Sequence, residues 1–263
     1  MELNWRSWGS GPAQVLALHC GLGHSGMWKA TAAPLAQECI FRAPDLPGHG
    51  KSNPFPEGQD VHDAAYGALQ AQLTPGLHLV GHSFGATLAL RLALRAPDLV
   101  ASMLLIEPVF FAAAPESDLR ASHRAAEEQV FTTYATGDLM ATARAFNRLW
   151  GGGVPWDRFP THVQAAMASQ MPFVVGTEPS LWRDGAKMLV PETLEQVSCP
   201  VTFMRGSDTV PIIAEVHRGL MARIPQSQEI VVSGAGHMLV MTHPEAVTAA
   251  LVSHISDGAA LSE

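Results

Sequence analysis

The stretch Gly81-His82-Ser83-Phe84-Gly85 sets one serine between two glycines, at the end of the short apolar run 77–80. A serine hydroxyl is a weak nucleophile near neutral pH unless a base takes its proton, and the base needs an acid to fix its tautomer. The chain supplies candidates for both. "PVTFMRGSDTVP" puts Asp208 in a Gly-Ser-Asp loop just past an apolar run. "EIVVSGAGHMLVMTHPE" puts His237 in a glycine-bearing loop past the last such run. With Ser83 as nucleophile, His237 as base and Asp208 as the acid that orients it, the chemistry would be acyl transfer. Rivals exist for two of the roles. Glu107 follows the run 101–106 and could also reach the base, while His243 competes with His237 but opens the final helical segment. His82 reads as a residue packed against the turn. The bland alternatives are a tight-turn role for Ser83 and a helix N-cap role for Asp208.

Acyl transfer also needs backbone N–H groups aimed at the oxyanion of the tetrahedral intermediate. The amide of Phe84, immediately after the serine, would open a helix and serve as one. The second should come from the glycine-rich loop "HCGLGHSGMW" that follows the run 15–19. The alternative for that loop is a simple turn.

These residues must be positioned by strands and helices, and the sequence patterning outlines them. After Ser83 the apolar spacing of Phe84, Leu88 and Leu92 is helical, so strand must turn to helix within a few residues. Gly81 and Gly85 leave room for that reversal. Short apolar runs at 15–19, 39–43, 77–80, 101–108, 201–205 and 228–232 alternate with helical segments. That alternation predicts an α/β fold with a doubly wound, mostly parallel sheet, in which sites lie beyond the carboxyl ends of the strands. Residues 110–190 break the rhythm with helical character and no strand. They are several times longer than a crossover needs. We therefore expect a core of residues 1–109 and 191–263 carrying a helical lid at 110–190. Within it, Gly151, Gly152 and Gly153 form either a hinge or a plain loop.

Composition narrows the function classes. The chain has 263 residues, 47% of them hydrophobic and 15% charged, with a formal net charge of −8. This suits a large buried core and, without a Lys/Arg stripe, speaks against nucleic acid or an anionic membrane as partner. No apolar run nears the ~18 residues that cross a bilayer, and no signal peptide is evident at the N-terminus. A soluble, cytoplasmic protein is expected. Cys20, Cys39 and Cys199 are odd in number and widely spaced, which suggests neither disulfides nor a zinc site. No metal or cofactor is expected, and the oligomeric state is left open.

Taken together, these motifs resemble the α/β-hydrolase superfamily, in the branch with a lid inserted after the strand that follows the elbow. "HCGLGHSGMW" resembles its His-Gly oxyanion loop, "DLPGHGKS" (residues 45–52) its Asp-x-x-Gly-x-Gly-x-Ser loop, and "GHSFG" its elbow. The resemblance covers essentially the whole chain and places Asp208 and His237 at the family's acid and base positions. It implies Gly21 as the second oxyanion donor, with Leu22 as the alternative if the loop shifts by one. Cys20 departs from the glycine usual after His19 and puts a thiol near the site. A serine in the elbow argues against epoxide or haloalkane hydrolysis. The expected activity is hydrolysis of a small, largely apolar carboxylic ester, lactone or thioester through an acyl-enzyme. Carbon–carbon bond hydrolysis by the same triad, or a non-hydrolytic receptor, are the alternatives. In the aromatic- and Met-rich lid Trp150, and beyond the base Met238, are the candidate substrate contacts, although lid core is the favoured use for the lid aromatics.

Overall fold

Central strands rich in Val, Leu, Ile and Met, with few charges, can be satisfied only between two layers of helices. In the computed structural model, which describes residues 1–56 and 58–260, such strands form one seven-stranded sheet. They are β1 (Trp5–Trp8), β2 (Ala13–Leu18), β3 (Cys39–Pro44), β4 (Leu77–His82), β5 (Val100–Ile106), β6 (Val201–Gly206) and β7 (Ser227–Val232). Their spatial order is β1-β3-β2-β4-β5-β6-β7. β1 is antiparallel to β3, and all other pairings are parallel. β1 was not among the expected strands: its Trp-Arg-Ser-Trp sequence carries too short an alternation to stand out.

The pleat sends successive side chains to opposite faces. Leu16 and Leu18 of β2 belong to one buried cluster, Val15 and Ala17 to the other. Helices α1 (Lys29–Ala32), α2 (Val61–Leu69) and α3 (Phe84–Arg95) follow the first strands. A helical insertion, α4 (Asp118–Tyr134), α5 (Leu139–Trp150), α6 (Thr161–Ser169), α7 (Met171–Gly176) and α8 (Glu178–Trp182), separates β5 from β6. The chain closes with α9 (Ile212–Met221), α10 (Leu239–Thr242) and α11 (Pro244–Ala260). Residues of α2, α3 and α9 pack on one face, and residues of α1 and α11 on the other. The doubly wound, mostly parallel α/β sheet expected from the sequence is the architecture observed.

The inserted helices start where the sequence provides caps. Ser117 accepts from the Arg120 amide ahead of α4, and Asp138 from the Ala141 amide ahead of α5. Ala143, Trp156, Ala168 and Met171 form a small core within the insertion. Side-chain ties fasten it to the sheet domain, among them Ser180 donating to the Asp60 carboxylate at 3.1 Å and Gln170 to the Gly48 carbonyl at 3.2 Å. No described helix is long and apolar enough to cross a membrane.

Candidate active site

Serine is a favoured N-cap residue because its oxygen can accept from the first helical amides. Ser83 sits at the N-cap of α3, yet its side chain makes no capping bond. Its backbone is forced to φ 57°, ψ −117°, which turns the hydroxyl away from the helix axis. The amide of Ser83 is tied to the Ile106 carbonyl of the neighbouring strand at 2.8 Å. The two flanking glycines are needed for space. A Cβ at Gly81 would lie 2.3 Å from the Gly85 carbonyl oxygen, and one at Gly85 would lie 2.2 Å from that of Leu18. The freed Oγ is 3.1 Å from His237 Nε2. The structure thus brings together Ser83 and His237, the expected nucleophile and base.

The carboxylate facing His237 is not the expected one. Glu107 Oε2 accepts from His237 Nδ1 at 2.6 Å. Asp208, in contrast, is exposed, and its carboxylate accepts from the neighbouring Ser207 hydroxyl at 2.7 Å. Its backbone is near the site, with the amide bonded to the Ala235 carbonyl, but its side chain turns outward. The geometry therefore corrects the expected pairing: Glu107 occupies the place given to Asp208. The reason is topological. β5 lies beside β4, so a residue at the end of β5 emerges next to the elbow, and Glu107 is fully buried there at φ 48°.

Three donors hold that buried carboxylate: His237 Nδ1, the Thr209 hydroxyl at 2.5 Å, and the Gly206 amide at 2.8 Å. Burial alone would push its pKa up. The bond from His237, its positive field when protonated and the other two donors outweigh that, so Glu107 lies below the usual carboxylate range. An ionised Glu107 accepts at Nδ1, which leaves the Nε2 lone pair directed at Ser83.

His82 also belongs to this assembly, in a role the sequence did not reveal. It is completely buried, and its Nε2–H donates to the His237 backbone carbonyl at 2.7 Å. Burial, with the field of His237, lowers its pKa to about 3, so it works as a neutral donor that pins the base-bearing loop to the elbow. His243, the rival base, instead pairs with the Thr242 hydroxyl at 2.8 Å.

The two backbone amides proposed as oxyanion donors lie on converging loops. The first amides of any helix lack intrahelical acceptors, so that of Phe84 is unspent by α3. The loop carrying Gly21 is locked by two neutral histidines. His19 donates from Nδ1 to the Cys20 carbonyl at 2.7 Å and accepts at Nε2 from the Leu46 amide at 2.8 Å. His49 donates to the Pro47 carbonyl and accepts from the Leu22 amide at 3.2 Å. Burial holds His19 at about 3 and lowers His49 as well, as these acceptor roles require. The Leu22 amide is thus engaged elsewhere, which favours Gly21 over the alternative donor. Cys20 is buried, its thiol pushed up to about 12 by burial, and its sulfur faces Met27 Sδ at 4.0 Å. A group so hard to ionise is a poor nucleophile.

Two side chains of the insertion close over this arrangement. The Trp150 ring rests on His237, with centroids 4.7 Å apart. Phe173 of α7 lies 5.0 Å from Phe84 and 4.4 Å from His49, and a Cβ on Gly21 would come within 3.2 Å of it. Phe173 touches the neighbourhood of both candidate amides, which its sequence position gave no means of telling from lid core. Beneath this cover Ser83 is only 7% exposed. Met238, expected at the substrate, stands 37% exposed at the start of α10.

The model of an alpha/beta hydrolase family matches residues 15–250. A pimeloyl-[acyl-carrier protein] methyl ester esterase of Nitrosomonas europaea is 27% identical over 90% of this chain and 93% of its own. Lipase LipV of Mycobacterium tuberculosis is 41% identical, over 38% of each chain. Among solved structures, a putative lipase from Acinetobacter baumannii superposes with a TM-score of 0.74 at 20% identity, covering 97% of this chain and 88% of that one.

Proposed function

The chain belongs to the alpha/beta hydrolase family, and from that membership we propose that it is a serine hydrolase of small, largely apolar carboxylic esters. The observation that carries the reading is the continuous line from Ser83 Oγ through His237 to Glu107, at 3.1 and 2.6 Å. Ester cleavage by the curated relative that spans nine-tenths of this chain supports the substrate class.

The reaction follows from the residues. Ser83 Oγ attacks the ester carbonyl while His237 Nε2 takes its proton, and Glu107 stabilises the imidazolium that forms. The carbonyl oxygen becomes an oxyanion held by the amides of Phe84 and Gly21. Collapse expels the alcohol, which leaves with the proton from His237, and the acyl group stays on Ser83. Water, deprotonated by His237, then releases the acid. Lactones and thioesters would follow the same course. Trp150 and Phe173 supply apolar walls around the acyl carbon, and small-molecule pockets owe most of their binding to such walls.

A series of p-nitrophenyl esters, from acetate to hexanoate, tests the proposal. Turnover with an initial burst of p-nitrophenol is expected, and Ser83→Ala should lower it by about 10³-fold or more. Binding of these esters without turnover would leave a receptor in place of an enzyme.

A further inference from the structure

A buried acid lies in the insertion, apart from the residues above. Glu127 of α4 has a side chain only 12% exposed. The Trp182 indole N–H donates to its Oε2 at 2.5 Å, and Trp150 hydrogen-bonds to the same carboxylate. Rings enclose it. His123 lies 5.5 Å from Trp150 and 6.2 Å from Trp182, and Phe111 lies 4.8 Å from Trp182. Leucine or methionine would fill such a space without the desolvation a carboxylate suffers there. What the carboxylate adds is direction, because it accepts from two indoles that neither apolar side chain could hold.

The place of Trp150 in the fold shows what that direction serves. Trp150 is the last residue of α5, and the turn after it includes Gly152 and Gly153 at φ 60° and 80°, with open space around both. The Trp150 ring packs against Phe111 and His123, 6.0 and 5.5 Å away, and against the His237 ring at 4.7 Å. We propose that Glu127 is a positioning residue: through Trp150 it fixes the wall that a substrate meets beside His237 and Ser83. This rests on the hydrolase reading, since an ester's acyl or alcohol group is what would meet that wall.

The ionisation of Glu127 provides an independent handle. Burial pushes its pKa up to about 7, against the bonds from Trp182 and Trp150 and the charge of Arg124, with Glu178 of α8 adding to the rise. Further groups around it are His123, 3.8 Å away and held at about 4 by burial, and Arg120, which lies over the Trp182 ring. A proton on Glu127 therefore changes what the two indoles feel near neutral pH.

The test compares Glu127→Leu, which deletes the acceptor, with Glu127→Gln, which keeps one without charge. The readouts are the ratio of kcat/KM for p-nitrophenyl hexanoate to that for the acetate, and intrinsic tryptophan emission between pH 5.5 and 8.5. Glu127→Leu should shift the ratio by roughly 10-fold, and Glu127→Gln should return it to within about 3-fold of wild type. Wild-type emission should show a step near pH 7 that both variants lack. If Glu127→Leu does not fold, Trp150→Phe, which removes the N–H from the other partner, must shift the ratio in the same direction. An unchanged ratio, or equal losses on all esters that glutamine does not rescue, overturns the proposal and leaves Glu127 a packing residue. If wild type cleaves no ester, the hydrolase reading fails by itself. The emission step then decides the Glu127–indole coupling alone, and its absence overturns it.

Discussion

Ser83 and Glu107 both hold left-handed backbones, φ 57° and 48°, although neither is glycine. Such strain costs about 1–3 kcal/mol per residue and survives only where surrounding bonds over-determine it. Here the two amides are anchored to the Ile106 and Met204 carbonyls at 2.8 Å each. Glu107→Gln keeps the shape but replaces the ionised acceptor, so His237 loses the tautomer that leaves Nε2 free. The expected fall in kcat is about 10³–10⁴-fold. Asp208→Asn should stay within about 3-fold of wild type. Steady-state kinetics on p-nitrophenyl acetate separates the two, and the reverse order would return the acid to Asp208. The sequence made Ser83 and His237 legible through their glycine-flanked loops. It misdirected the acid, because Asp208 has a matching loop and Glu107 has none. The overlooked signal was burial: a carboxylate continuing the wholly apolar run Met103–Leu104–Leu105–Ile106 enters the interior and must find donors there.

Among the elements, α3 crosses closely over the end of β2 beside the site. Gly85 makes it possible, since a Cβ there would meet the Leu18 and His19 carbonyls at 2.2 and 2.6 Å. Backbone cannot yield as a side chain tip can, so Gly85→Ala should lose about 3 kcal/mol or more. Gly67, inside α2 with nothing within 4 Å, is the control. Gly67→Ala should gain about 0.5–1 kcal/mol from helix propensity alone. Urea denaturation measures both, and equal effects would mean that the elbow glycine is not sterically required. The strands other than β1 were readable because their apolar runs are short and bounded by turns. The lid helices were readable as helices but not by role: Trp156 and Met171 fill the insertion's own core, while Trp150 and Phe173 reach the site. Neither residue type nor local pattern separates the two pairs, so only their tertiary placement tells them apart.

Across the whole molecule the interior stores neutral histidines. His19, His62 and His82 are lowered to about 3 and His123 to about 4, burial being the largest cause in each. A base whose folded pKa is depressed binds its proton more readily when unfolded. Stability is therefore fully present above the ordinary value of 6.5 and is lost as pH falls from there towards 3. Each such group weakens the fold by about 1–2 kcal/mol at pH 5. Glu107 acts in the same direction at lower pH: its folded pKa is depressed, so its contribution is lost as pH falls through that value. Glu127 opposes both, because a carboxyl raised to about 7 withdraws stability as pH climbs through the range between its unfolded value and 7. The histidines outnumber it, so the melting temperature should fall steadily from pH 7 to pH 5. A flat profile would mean that these rings are solvated or protonated in the native state. Composition and alternation made the layered sheet legible in the sequence. The histidine interior was not, since a ring's burial depends on partners from distant segments, such as His19 on Leu46 or His82 on His237.

The central claim is that Ser83 is a nucleophile activated by His237 and Glu107. It is tested most directly by reacting the folded protein with a fluorophosphonate probe and locating the adduct by peptide mass spectrometry. One covalent adduct on Ser83 is predicted, lost in Ser83→Ala and formed much more slowly in Glu107→Gln. An adduct on another residue, or none on folded protein, would contradict it.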